Sequence, residues 1–499
     1  MENEKMMEIP PTDCPSIFER SVDGRVGVVL PEEPAGIDAL IESSIPSEFL
    51  RKEQPYLPQV GESDVTRHYT NLANRTLGLD TAFYPLGSCT MKYNPRFHEK
   101  AASMECFRSL HPEQPESTMQ GMLRIVYEAQ KWLGELAGLP AVSFQPAAGA
   151  HGELTSMMVI RSYFRSRGET NRCKVIIPDT AHGTNPASAM RSGMSTVEIK
   201  SGLDGRIDLE ELTKQLGPDT ACVMITNPNT LGLFENRIRE IADMIHAVGA
   251  LLYVDGANFN AIVGRVRPGD FGADLMHINV HKTFSCPHGG GGPGAGPICG
   301  RDFLAPFMPH PWVMLKDGQY TLEDDCPQSL GKVRAFIGNL PAAVRTWCYL
   351  CELGAQGFRE VSGYAVLNAN YIAKLISGVY EIPYGERCMH EFVLSADKQK
   401  HQGARALDLA KGLIDMNYHP PTIYFPHLVS EAMMIEPTET ENIETLEKFA
   451  AAMLQLAEVA EKQPQQLLES PVKTVVRRLD EGLAARKPVV CWPGNDFNK

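Results

Sequence analysis

From Lys174 to His281 the chain alternates short apolar runs with stretches of helical period, and this alternation limits the fold more than any other feature. "KVIIP" (174–178), "TACVMITNP" (220–228), "LLYVDGAN" (251–258) and "DLMHINVH" (274–281) read as strands, and "RIREIADMIHAVGA" (237–250) reads as an amphipathic helix. Strands that alternate with helices of this length imply βαβ units and a mostly parallel, covered sheet. Ligands of such sheets sit beyond the carboxyl ends of the strands. Asn227, Asp255 and Lys282 all fall at that position.

The rest of the chain is read around this centre. Residues 1–110, rich in proline and broken in pattern, read as an extended arm rather than an autonomous domain. Residues 111–365 form the expected large domain, which opens with "STMQGMLRIVYEAQKWLGELAGL". Its apolar positions Met119, Met122, Val126, Ala129, Leu133 and Leu136 follow a helical period behind a Ser/Thr start. Residues 366–499 read as a smaller α+β domain, with strands "CMHEFVLS" and "EAMMIEP" between helices. A length of 499 residues is consistent with several domains. The net charge of −14 argues against a nucleic-acid binder. No apolar run reaches the roughly 18–20 residues of a membrane helix. The first residues lack the pattern of a secretion signal, so a cytoplasmic protein is expected. The 12 cysteines are scattered, and the CxxC of Cys348 and Cys351 is read as buried and inert rather than as a metal or redox site.

The lysine at the end of the fourth strand carries the chemistry. Lys282 follows an apolar strand and precedes "HGGGGPGAGP", and Asp255 ends another strand of the same sheet. A strand-end lysine paired with a strand-end aspartate suggests pyridoxal 5′-phosphate. The amine forms a Schiff base with the aldehyde, and the carboxylate keeps the pyridine nitrogen protonated. The glycine-rich loop 289–297 matches neither GxxxxGK[ST] nor GxGxxG, so it is read as a closely packed or mobile loop. "QPAAGAHGE" places Gly149 and Ala150 before a helix expected to begin near Glu153, a start suited to a phosphate. His151 is either a ring that stacks on the cofactor or a loop histidine bonded to backbone. His182, Thr184, Asn229 and Thr230 lie at further strand ends, and His281 adjoins the lysine. In "FYPLGSCTMKYNPR", Ser88, Cys89 and Thr90 are candidates for substrate contact. Lys92 and Arg96 could hold an anion, or Lys92 could sit at the surface of a packed loop. No metal is expected.

The motifs "YPLGSCTMKYNPR", "QPAAGAHGE", "DTAHGTNPASA", "TNPNTLGLFE", "VDGAN" and "NVHKTFSCPHGGGGPGAGP" resemble, in order, those of the glycine-cleavage P-protein family, glycine dehydrogenase (decarboxylating). The resemblance runs from "SDVTRHYTNL" to "EAMMIEPTE". In length, and in carrying the lysine, the chain is similar to the second subunit of the split form of that family. The resemblance implies fold type I of the pyridoxal phosphate enzymes, an aspartate aminotransferase-like α/β architecture. It implies covalent cofactor attachment at Lys282, Asp255 against the pyridine nitrogen, and His151 stacked on the ring. Ala257 would pack on the opposite face, and Asn258 or Asn229 would reach the phenolic oxygen. The implied reaction decarboxylates glycine and transfers the aminomethyl group to the lipoyl disulfide of H-protein, with release of CO2. The implied assembly is a two-plus-two heterotetramer with a homologous first subunit. The rivals are another fold-type-I enzyme, an aminotransferase or amino-acid decarboxylase, and a non-catalytic scaffold. An intact Lys282 and Asp255 speak against the scaffold.

Overall fold

Seven strands build the central sheet: β1 (Ala141–Ser143), β2 (Lys174–Pro178), β3 (Ser195–Ile199), β4 (Thr220–Thr226), β5 (Leu251–Gly256), β6 (Leu275–Ile278) and β7 (Ile298–Gly300). This is a computed structural model, and it describes residues 15–53, 55–289, 294–384 and 387–490. The strand order is β1-β7-β6-β5-β4-β2-β3. β3, β2, β4, β5 and β6 are parallel neighbours, and β7 runs antiparallel to both β6 and β1.

Every residue of β4 and β5 is buried, as expected for central strands covered on both faces. The period of two sorts their side chains between two cores. Val223, Ile225, Leu252, Val254, Met276 and Ile278 pack in one cluster. Cys222, Met224, Leu251, Tyr253 and Leu275 pack in the other. The helix Gln120–Ala137 covers the first face with Met122, Val126, Ala129 and Leu133, and ends on Gly138 in the left-handed conformation. Leu136, expected on that face, is half-buried at its edge.

A second, three-stranded sheet has the order β10-β12-β11, and the hairpin β8 (Trp312–Lys316) and β9 (Gln319–Glu323) lies between the two sheets in sequence. Its strands are β10 (Phe392–Ser395), β11 (Thr422–Ile423) and β12 (Ala432–Ile435), all antiparallel. The helices Ala406–Asp415 and Ile443–Lys462 supply Leu409, Leu413, Phe449, Met453 and Leu456 to its core. The helix Leu340–Ile376 contributes residues to both cores and is broken at Gly354, whose φ is 55°. Cys348 and Cys351 lie on this helix as free thiols. Cys348 is half-buried, but Cys351 is exposed, because it falls on the outer side of the helix rather than in the core.

Contacts gather Gly78–Val472 into one compact unit. Phe83 sits in the core of the small sheet, and Leu86 bridges Ile435, so this stretch is part of the larger unit. The described residues up to Leu77 and from Lys473 belong to another unit, with helices Ile37–Ser44 and Glu62–Ala73. Among its described residues only His68 is buried, and Val26, Val28, Val29 and Leu30 are exposed.

The turn after β5 needs a residue without a side chain. A Cβ on Gly256 would lie 1.9 Å from the carbonyl oxygen of His277 on β6. Gly256→Ala therefore forces the two central strands apart and is expected to destabilise the protein by about 3 kcal/mol. A urea midpoint unchanged from that of the unsubstituted protein would show that the turn has room.

Candidate active site

Asp255 ends β5 with its carboxylate wholly inside the protein. Oδ1 accepts from the Ala257 N–H at 2.9 Å, and Oδ2 accepts from Thr226 Oγ1 at 3.4 Å. His277 Nε2 lies 3.5 Å from Oδ1, and its Nδ1 faces the Tyr253 hydroxyl at 2.6 Å. With its amide turned to donate, Asn185 reaches Asp255 Oδ2 at 3.1 Å and Glu153 Oε2 at 3.2 Å. Burial alone would raise the Asp255 pKa. His277, His182, the Ala257 N–H and Lys282 instead hold it below the ordinary carboxylate value. Glu153 is pushed the other way, to about 8, by burial and by the charge of Asp255. Two neighbouring carboxyls thus divide into an ionised one and a protonated one. Glu153 also accepts from Thr184 Oγ1 at 2.8 Å and from Ser188 Oγ at 3.0 Å.

The helix that carries Glu153 begins at Gly149, four residues earlier than its sequence pattern suggests. Two glycines that disfavour a helix are kept there by close packing. A Cβ on Gly149 would meet Asn279 Oδ1 at 2.1 Å, and one on Gly152 would meet the Gly296 carbonyl at 2.8 Å. No side chain caps this start, which leaves the N–H groups of Gly149 and Ala150 in the first turn as anion donors. His151 Nδ1 accepts from the Ala147 N–H at 3.0 Å. That bond assigns the ring proton to Nε2 of the neutral imidazole, and burial lowers its pKa further from the protonated form. The backbone-bonded reading of this histidine therefore describes one edge of the ring and leaves its faces free of that bond.

Lys282 is buried in the turn after β6, and its Nζ donates to the Ser88 carbonyl at 2.6 Å. Ser88 and Thr90 hold positive φ values of 64° and 47°, a strain of order 1–3 kcal/mol each that the surroundings must sustain. They do so with two glutamates of the small sheet. The Ser88 N–H donates to Glu391 Oε2 at 2.7 Å, and Thr90 donates to Glu436 through its N–H at 2.9 Å and its hydroxyl at 2.5 Å. Cys89 lies between them, its thiol raised by burial. His281 is neutral, its pKa lowered to about 3 by burial and by His288 and Lys282 nearby.

The remaining candidates separate. Asn258 donates to the Pro228 carbonyl at 2.9 Å while its buried Oδ1 has no hydrogen-bond partner. Asn229 is spent on backbone: Nδ2 donates to the Gly205 carbonyl at 2.8 Å, and Oδ1 accepts from the N–H groups of Leu231 and Leu233 in its own loop. Thr230 is likewise tied to the Thr180 carbonyl. Ala257 is buried next to Asp255, and His182 and Thr184 are hydrogen-bonded to each other at 2.8 Å. Lys92 is not at the surface but 2% exposed, donating to Asn94 Oδ1 at 2.9 Å and lying 4.5 Å from the Tyr349 ring centroid. Arg96 points outward to Asp80. Of the glycine-rich loop, residues 290–293 lie outside the described residues.

Three groups escaped the sequence reading: Glu153, Glu391 and Glu436. For Glu391 and Glu436 the signal available was a glutamate among apolar residues, "MHEFVL" and "MMIEP", beside short strands that are buried throughout. Together, the buried Lys282 amine, the ionised Asp255, the uncapped helix start and the orphaned Asn258 Oδ1 fit the cofactor that the resemblance implies.

Comparison with known proteins agrees with this geometry. Residues 361–475 match the family model described as glycine dehydrogenase, C-terminal domain, and residues 152–314 match that of the class-V aminotransferases. The chain is 53% identical over 475 residues to a protein of Halalkalibacterium halodurans, with 95% of this chain and 97% of that one covered. That relative is named "Probable glycine dehydrogenase (decarboxylating) subunit 2". A Thermotoga maritima protein of the same name is 52% identical over 480 residues, covering 96% of this chain and 100% of its own. Among solved structures, the inhibitor-bound glycine decarboxylase (P-protein) of the glycine cleavage system superposes with a TM-score of 0.73. It does so at 21% identity, over 85% of this chain and 95% of that one. A cysteine desulfurase of Thermococcus onnurineus NA1 gives a TM-score of 0.59 at 14% identity, over 76% of this chain and 95% of its own. The fold is thus that of the fold-type-I enzymes, as expected. With full-length relatives at this identity, the chain belongs to the glycine dehydrogenase (decarboxylating) subunit 2 family.

Proposed function

We propose that this chain is the cofactor-bearing subunit of an enzyme that decarboxylates glycine and passes the aminomethyl group to the lipoyl disulfide of H-protein, with release of CO2. The observation that carries the reading is the placement of Lys282 and Asp255 at the ends of the neighbouring strands β6 and β5, beside the uncapped start of the helix Gly149–Ser166. Pyridoxal phosphate is the cofactor, and when bound it supplies the electron sink that makes a carbanion next to the amine accessible.

The residues take the following roles. Lys282 would provide the amine that holds the cofactor covalently. Asp255, kept ionised, would hold a proton on the pyridine nitrogen. The N–H groups of Gly149 and Ala150 would receive the phosphate, and the hydroxyls of Thr184 and Thr230 edge the same end of the sheet. His151, neutral, and Ala257 would flank the ring. The free Oδ1 of Asn258 points to it, rather than Asn229, as the amide near the phenolic oxygen. His281 contributes its neutral ring beside the lysine, and Ser88, Cys89 and Thr90 border the substrate end. Electrons end in the lipoyl disulfide, so the reaction calls on no nicotinamide group. A homologous first subunit completes a two-plus-two assembly in the cytoplasm. Its docking would cover apolar residues such as Val28, Val29 and Leu30. Among the described residues no helix is long and apolar enough to cross a membrane.

Lys282→Ala is expected to remove the absorbance of the covalently bound cofactor and the glycine–bicarbonate exchange activity while leaving a folded protein. A reducible covalent adduct surviving in that variant would overturn the assignment. Asp255→Asn should retain cofactor and lose exchange activity by roughly 100-fold or more, because an amide cannot stabilise the positive ring. Near-normal exchange would assign the role to another group. The purified chain alone should show little exchange activity, restored by the partner subunit. Full activity without it would argue for a self-sufficient enzyme, and turnover that leaves lipoylated H-protein unmodified would favour an aminotransferase or a simple decarboxylase.

Glu153 gives a pH signature. The native chain keeps this proton up to about 8, whereas the ordinary value is 4.5. The native state is therefore progressively disfavoured as pH rises from about 4.5 to about 8. Glu153→Gln preserves the acceptor for Thr184 and Ser188 and should flatten this part of the stability profile, read as urea midpoint against pH. Identical profiles would mean that Glu153 is ionised in the native protein.

A further inference from the structure

Glu391 and Glu436 lie side by side at one end of the small sheet, just outside β10 and β12. β10 and β12 run antiparallel with Phe392 paired to Ile435, so the next step along the ladder sets Glu391 against Glu436. Both side chains are wholly buried, and the two carboxyls lie within 4.8 Å of each other and of the His390 ring. Like charges placed directly opposite in a ladder are destabilising even where solvent screens them, and both of these are fully buried.

The surroundings supply one compensating charge. Glu391 accepts from the Ser88 N–H at 2.7 Å and from Asn258 Nδ2 at 3.4 Å. Glu436 accepts from the Thr90 N–H and hydroxyl, and from Asn260 Nδ2 at 3.2 Å. His390, next to Glu391 ahead of β10, has no hydrogen-bond partner at either ring nitrogen, and its Nε2 lies 3.6 Å from Glu391 Oε1. Burial lowers its pKa to about 3, so it brings no charge. Cys89, on the facing loop, has its thiol raised by burial, and Glu439 beyond β12 is likewise raised by burial, with Lys92 as its opposing charge. Lys282, across the Ser88–Thr90 loop, is the cation that acts on both carboxyls. Lys282 also acts on the ionised Asp255, so two further buried carboxyls against this one ammonium leave the group short of at least one positive charge.

We propose that Glu391 and Glu436 share one proton at neutral pH and that this pair is the proton store of Lys282. Ser88 stands between the two: its carbonyl accepts from the lysine, and its N–H, in the preceding peptide group, donates to Glu391. Lys282 must lose a proton before its nitrogen can form a covalent bond. In that step one N–H bond of the ammonium breaks and one O–H bond forms on the carboxyl of the pair that is still ionised, with no change of oxidation state. The reverse step recharges the amine when the bond is given up. The part assigned to Lys282 rests on the function proposed above, whereas the shared proton does not.

The test uses infrared difference spectra of the full-length chain prepared without pyridoxal phosphate, the state in which Lys282 is a free amine. With Glu153→Gln as the common background, so that its own protonated carboxyl does not contribute, a deuterium-sensitive carbonyl band of one protonated carboxyl should be present at pH 7 and vanish in both Glu391→Gln and Glu436→Gln, since either remaining carboxyl ionises beside Lys282. A band that survives in one of them would place the proton on a single residue and overturn the sharing. Absence of the band in the Glu153→Gln background, with a stoichiometric divalent ion in its place, would overturn it as well. Lys282→Ala reads the same pair without altering it. There the band should persist to a pH higher by about one unit or more, because the charge that favours ionisation is gone, and an unmoved midpoint counts against the proposal. The rate of covalent pyridoxal phosphate attachment against pH tests the store. Its midpoint should move to lower pH in the Glu391→Gln/Glu436→Gln double variant, which removes the negative charge of the pair, and not in either single variant, which keeps one carboxylate. A slower rate with an unmoved midpoint would make the pair a structural brace only, with the proposed function untouched.

Discussion

A carboxylate buried at the end of a central strand is the constraint around which this protein is arranged. Asp255 has almost no contact with water, so its charge must be met by protein groups, and these come from separate parts of the sheet. The Ala257 N–H answers it from the following turn, Thr226 from β4, and His277 from β6. Each group is in place because the parallel ladder aligns the strand ends, with Thr226 opposite Asp255 and Asp255 opposite His277. The register that buries the apolar core is thus the register that keeps the aspartate ionised. Glu153 shows the complementary outcome: a second carboxyl close to that charge retains its proton.

The main elements were legible where sequence and environment agree over a long enough stretch. β2, β4, β5 and β6 are apolar runs bounded by turn residues, and a covered parallel strand needs that composition. β1 and β7, three residues each, are too short to show a period. β3 is an edge strand with mixed exposure, and β7 reverses direction, which no local pattern records. The start of the helix at Gly149 was hidden because its glycines answer to packing against Asn279 and Gly296, not to helix preference.

Lys282 and Asp255 could be read as a pair because each marks the end of a recognisable strand. The Ser88 carbonyl could not, since it meets Lys282 from 194 residues away. Of the two readings of Lys92, the surface one fails for a similar reason. Its neighbours in sequence are those of a surface loop, while its environment is made by Tyr349 and Asn94 after folding. Glu391 and Glu436 each resemble a glutamate that ends a strand in solvent, and only the pairing of β10 with β12 makes them a buried couple.

The stretch from Gly87 to Thr90 is suspended from the small sheet at several points: Gly87 on the Met434 carbonyl, Ser88 on Glu391 and Thr90 on Glu436. On its other side it holds Lys282 through one carbonyl. This makes it a lever arm. A tilt of the small sheet moves the acceptor of the lysine with it, and a hydrogen bond weakens steeply once its heavy atoms part beyond roughly 3.5 Å. The freedom of the amine is therefore geared to the attitude of a sheet to which Lys282 does not belong.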